Sequence, residues 1–210
     1  MAKLTGVEKV GMIVHEAKNL DTVCYRGEAP LAHLAMVSQA DIYDQVANPE
    51  GLQRDLSPKH ASDAYEYVRR DRSSEFPRAF PEVVLNIRDK KVIELEPIEG
   101  LPEGSAKLFR LTFDRNKMTG TKVSVSRVDG NHRLHYADGD DRREPLLESI
   151  PFQVHIGLTR AQERSLFVDI QREPEGPQYL APRDHAEQAD PRASRNQGPS
   201  RQVDREAAYG

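Results

Sequence analysis

The chain holds one cysteine, Cys24, in 210 residues, so no disulfide can close within it and it suits a reducing compartment. No apolar run is long enough to span a bilayer, and residues 1–11 carry no apolar signal core. The expectation is a cytoplasmic protein with no membrane partner. Apolar residues are scarce as well. They make up 37% of the chain against 30% charged, below a fully packed globular average, so part of the chain should lie outside any core. A net charge of −4 excludes a global basic field for nucleic acid and leaves only local patches, such as Arg69, Arg70 and Arg72 or Arg142 and Arg143. There is no internal repeat and no His-Glu-x-x-His ligand string. The aromatic–basic interleaving of an RNA-binding sheet is also missing.

What is present divides in two. Residues 173–210 are punctuated by Pro174, Pro177, Pro182, Pro191 and Pro199 and hold almost no large apolar side chain. Such a segment cannot offset its ordering entropy by burial, so it reads as a disordered polar tail behind a domain over 1–172. Within the domain, strands are expected over 10–14, 82–87, 92–95, 107–113, 122–128 and 151–156. Residues 31–46 read as a helix or as a strand plus a helix. Ser57 as N-cap and Pro58 at the first helical position open a helix carrying Ala61, Ala64, Tyr65 and Val68. Thr159, with Gln162 placed for a capping box, opens a last helix whose apolar side is Leu166, Phe167 and Ile170. The sum is an α+β fold.

The chemistry concentrates at Asp129-Gly130-Asn131-His132-Arg133, after the 122–128 strand. Taken alone, Asp-Gly is a turn and the next residues are surface. Their position changes the reading. A strand, a tight turn at Gly130 and a helical start would bring backbone N–H groups, His132 and the Arg133 fork to one anion. Asn48-Pro49-Glu50-Gly51-Leu52-Gln53-Arg54 precedes the Ser57 helix, and Arg54 could reach such an anion. His132 and His135 have helical metal-ligand spacing, with His155 on a later strand. A magnesium ion carried by a nucleotide, with Asp129 in its shell, suits these residues better than a protein-built metal site. Cys24 reads as a small half-buried hydrophobe.

The segment 128–134, Val-Asp-Gly-Asn-His-Arg-Leu, resembles the signature of the DGQHR-domain family, which includes the DndB-like regulators of DNA phosphorothioate modification; Asn131 stands where that family has Gln. The resemblance extends through Gly51–Ser57, Phe76-Pro77 to Leu85, Ile150–Ile156 and Leu166–Ile170. The same order is similar to the wider ParB/sulfiredoxin superfamily, with Asn48-Pro49 and Gln53-Arg54 as a first box and Gly130–Arg133 as a second. It implies a ParB/sulfiredoxin-like mixed sheet with flanking helices and a strand–turn–helix phosphate site. Arg54, Gly130, Asn131, His132 and Arg133 would bind the nucleotide, and Asp129 and Arg133 would serve any hydrolysis of a nucleoside triphosphate with Mg2+. Asn131 occupies the place of the sulfiredoxin cysteine and is no nucleophile, so that activity is not expected. The resemblance implies a role in DNA modification, defence or its regulation, with DNA or DNA-modification proteins as partners and oligomerisation allowed. Two alternatives stay open: a non-catalytic DNA-binding regulator, or a metal-dependent nuclease using Asp129 and Asp169. Because the polar tail follows Arg172 directly, the chain is expected to be a truncated or minimal member of the family.

Overall fold

A computed structural model describes residues 6–53, 56–70, 79–118 and 122–172. The predicted tail therefore lies outside the described residues, as does Arg54. Seven strands form one mixed sheet in the order β4-β5-β1-β2-β7-β3-β6. They are β1 (Lys9–Asn19), β2 (Thr22–Pro30), β3 (Val83–Ile87), β4 (Ile93–Pro97), β5 (Leu108–Asp114), β6 (Val125–Asp129) and β7 (Ser149–Ile156). Only β3 and β7 pair in parallel; the other neighbours are antiparallel. The helices are α1 (Leu31–Met36), α2 (Pro58–Arg69), α3 (Asn131–Leu134) and α4 (Arg160–Gln171). The fold is α+β, as expected. Among the described residues no helix is long and apolar enough to cross a membrane.

The two faces of the sheet differ in chemistry. On one, Val10, Met12 and Val14 alternate along β1 and join Phe113, Phe152, Val154, Leu85 and Val125 in an apolar core, closed by Leu31, Leu34, Tyr65 and Leu134 from the helices. On the other, cross-strand register sets His155 beside Asn86 and Asn86 beside Ser126, and all three are buried. The strand over β7 was expected to alternate; instead Phe152 to His155 are buried in succession, because both faces are covered there.

Helix α4 covers the polar face. Its capping box forms as the sequence predicts: Gln162 N–H donates to Thr159 Oγ1 and the Gln162 side chain accepts from Thr159 N–H. Its buried residue, however, is Glu163, at 1% exposure, while Leu166 and Phe167 are half-buried and Ile170 is exposed. The Glu163 carboxylate accepts from Asn86 Nδ2, from Ser126 Oγ at 2.6 Å and from both Arg88 Nε, at 2.8 Å, and the second Arg88 nitrogen. Arg88 also donates to Asp41 Oδ2 at 2.7 Å, and Arg160 reaches the same oxygen at 3.0 Å. Asp41 in turn accepts from Asn48 Nδ2 at 2.9 Å, and its carbonyl accepts from the N–H groups of Leu52 and Gln53. One ion network thus fastens α4, the end of β3 and the 41–53 loop together.

Breaking such a network leaves a buried charge unpaired. Glu163→Ala should lower stability by about 3–5 kcal/mol. Removing the cap with Thr159→Ala should cost about 1 kcal/mol. Urea unfolding of the two variants measures both, and a Glu163→Ala loss no larger than the cap's would show that α4 is held by other contacts.

Candidate functional site

The Asp129–Arg133 segment folds as strand, turn and a single helical turn. Gly130 sits at φ +96°, a left-handed conformation that favours glycine, and a Cβ there would lie 2.9 Å from Val83 Cγ2. The helical start is four residues long, with its dipole correspondingly small. Beside the turn lies a cavity of about 390 Å³ lined by Asp129, Gly130, Asn131 and His132, with Gln53 on one side and Phe167 and Gln171 of α4 on the other. The two motif segments, far apart in sequence, therefore share one space. Gln53 is buried, and its Nε2 donates to the Arg127 carbonyl next to the turn.

Arg133 does not join them. Its guanidinium turns to the start of β3, donating to the Pro81 carbonyl, to the Glu82 carbonyl at 3.1 Å and to Asp129 Oδ2. It lies 5.9 Å from the Phe80 ring centroid. The expected phosphate fork is instead a clamp between the turn and β3. The clamp also engages Asp129, whose other oxygen accepts from Gln171 Nε2 at 3.3 Å. His132 Nε2 accepts the Ser57 N–H at 3.3 Å, which fixes the ring to the start of α2. Burial, then the neighbouring His60, holds the His132 pKa below its ordinary value, with Asp129 opposing. The surroundings thus favour the neutral ring, with Nε2 as an acceptor.

Arg127 was missed by the sequence reading. It is 8% exposed and faces the core side of β6, donating to Ser38 Oγ at 3.0 Å and to the Ala35 and Ser38 carbonyls at 3.2 and 3.0 Å. A further N–H reaches Asn131 Oδ1 at 3.4 Å. Among the described residues no carboxylate bonds to it, and burial pushes its pKa down to about 10, with Asp138 opposing. It therefore keeps a positive charge behind Asn131. The signal was its phase, for Arg127 falls in step with Val125, which points into the core.

Comparison with protein-family models, curated proteins and solved structures finds no match. The remaining candidates scatter. Asp169 lines a different cavity from Asp129, so the carboxylate pair suggested for a nuclease does not assemble. His155 is buried under α4, away from the turn's cavity, and His135 packs edge-on to Tyr136. Arg69 pairs with Glu144, and Arg143 pairs with Asp140 while lying 3.7 Å over the Tyr136 ring. Cys24 is fully buried, and burial raises its thiol pKa.

Two outcomes follow from this geometry. Gly130→Ala should destabilise by about 1–2 kcal/mol from the left-handed backbone alone, and more through Val83; equal melting temperatures for variant and parent would contradict the turn. His132 favours its neutral form when folded, so its contribution is intact above the ordinary imidazole value of 6.5 and is lost as pH falls through the depressed folded value. Denaturant midpoints across that range should fall with pH, and the slope should flatten in His132→Gln.

Proposed function

We propose that the chain binds a nucleotide by its phosphates in the cavity beside Gly130, as a DGQHR-type, ParB/sulfiredoxin-like domain acting in DNA modification, defence or its regulation. The observation that carries the reading is the meeting of Gln53 with Gly130, Asn131 and His132 on one cavity: the two segments that resemble the family's boxes face the same space. Charge supports it. Arg127 stands behind Asn131 with no carboxylate bonded to it among the described residues, and Arg54, next in sequence to Gln53, would add a second cation from the first box. Arg133 is reassigned from ligand to support.

Among the described residues Asp129 is the one carboxylate lining the cavity, and it is already held by Arg133 and Gln171. That fits a magnesium ion carried by the nucleotide's own phosphates and does not fit a site built by protein side chains alone. The same engagement favours binding without turnover, since no other lining residue among those described is a carboxylate able to act as general base. A regulator that senses a nucleotide is therefore preferred to a hydrolase.

Calorimetric titration with ATP and GTP, with and without Mg2+, tests this. Binding is expected, and Arg54→Ala should weaken it by about tenfold or more, roughly 1.4 kcal/mol. Arg133→Ala should lower stability more than affinity. Absence of nucleotide binding, or binding indifferent to Arg54→Ala and Gln53→Leu, would sink the reading. Steeply salt-dependent DNA binding that ignores nucleotide would select the DNA-binding regulator instead.

A further inference from the structure

Three side chains of charged type are buried among the described residues: Asp41, Glu163 and Arg127. The two carboxylates both pair with Arg88. Arg127 has no ion-pair partner among the described residues. Its Nε donates to Ser38 Oγ, a hydroxyl fixed by its own bond to the Leu34 carbonyl at 2.6 Å, and one terminal nitrogen donates to the Ala35 and Ser38 carbonyls. These bonds hold the guanidinium at the end of α1, but their acceptors carry only partial charge. The full positive charge remains, since a pKa of about 10 keeps the group ionised at neutral pH, and Asp138 acts on it only across space. A cation taken out of water with no carboxylate beside it is costly, and an anion brought to it would offset that cost.

The other terminal nitrogen connects this charge to the Gly130 cavity. It donates to Asn131 Oδ1 at 3.4 Å. A guanidinium only donates, so the oxygen is the end of the amide that faces it. Asn131 Nδ2 is then the free end: no described residue accepts from it, and Asn131 lines the cavity. Asp129, the acid on the same lining, is already offset by Arg133. We propose that Arg127 is the residue that makes this cavity selective for anions: it orients Asn131 so that Nδ2 is the group offered to the ligand, and its unpaired charge behind Asn131 meets the charge of the ligand's phosphates. The inference rests on the nucleotide reading above and adds what that site recognises, the polyphosphate chain rather than the nucleoside. Arg127 acts through Asn131 and by its field, as a positioning residue.

Ligand-free melting curves and calorimetric titrations of the full chain with inorganic tripolyphosphate, ATP and adenosine test it. The parent should bind tripolyphosphate and ATP, and adenosine about tenfold more weakly or worse. Asn131→Asp places a carboxylate where Arg127 lacks one. It should raise the melting temperature by about 2–4 °C and weaken tripolyphosphate binding by about tenfold or more. A merely structural contact would not give that gain in stability with loss of binding. In an Arg127→Gln background the rise should vanish. Arg127→Gln itself should bind tripolyphosphate about tenfold more weakly, with Arg127→Lys between it and the parent. Should Arg127→Gln fail to fold, Asn131→Asp and Arg127→Lys decide. A parent that binds neither ATP nor tripolyphosphate would sink the nucleotide reading and this inference with it. A parent that binds both would overturn this inference alone if Asn131→Asp gave no rise in melting temperature, if the variants kept the parent's tripolyphosphate affinity, or if adenosine bound as tightly as ATP.

Discussion

The carboxylate of Glu163 is the constraint on which the rest of this structure depends. A charge with 1% of its surface exposed carries a desolvation penalty of several kcal/mol unless every lone pair is met. Here Asn86, Ser126 and Arg88 meet them, and Arg88 shares its charge with Asp41, itself bridged to Arg160. Apolar packing could hold a helix on a sheet at many angles. A carboxylate with four directional donors accepts very few. The network therefore specifies where α4 sits, and through Asp41 it also specifies the 41–53 loop. Gln53 arrives at the cavity because its N–H is bonded to the Asp41 carbonyl; Phe167 and Gln171 arrive because Glu163 is one and two turns before them on α4.

That placement explains why α4 is so little buried. A helix seated by an ion network does not need its whole apolar stripe against the sheet. Phe167 and Gln171 are left to wall one cavity, Leu166 and Ile170 to wall the other. The helix is a partition between two clefts. Gly51 shows the same economy in the loop: a Cβ there would collide with the Ile42 carbonyl and the Tyr43 backbone, so the loop can close on Asp41 only with glycine at that place.

Much of this was legible in the sequence, and the rest was hidden for identifiable reasons. Both long helices announce themselves through local chemistry: Ser57 with Pro58, and Thr159 with Gln162, form the caps their spacing predicts. The turn at Gly130 and its strand were equally plain. Strand β2 was not, because Arg26, Gly27, Glu28 and Pro30 break any alternation; it is held by pairing with β1 on one side and β7 on the other. The 31–46 stretch is rich in helix formers, yet only Leu31–Met36 is helical, since Gln39 leaves the helix to bridge Ser126 on β6. The polar face was the least visible of all. Asn86, Ser126, Gln153 and His155 look like surface in a one-dimensional pattern, and only the buried partners that satisfy them make an inward position affordable. Arg133 misled for the opposite reason: its residue type suits a phosphate, but Asp129 one helical turn away takes it first.

Arginine serves a second purpose here, which bears on what the two cavities can hold. An amide side chain has nearly the same shape at both ends, so its orientation must be set by a neighbour that cannot change role. A guanidinium is such a neighbour, because it only donates. Arg127 takes Asn131 Oδ1, which leaves the Nδ2 group as the end available to the Gly130 cavity. Arg26 takes Gln153 Oε1, which makes Gln153 a donor to His155 Nε2. In both cases a charge kept out of the cavity fixes the sign of a neutral group associated with it, without the desolvation that a charge inside would require. At the Gly130 cavity the result is a hydrogen-bond donor on a group that carries no charge. The lining differs in charge: Asp21 and Asp169 line the second cavity, and Asp129 lines the first.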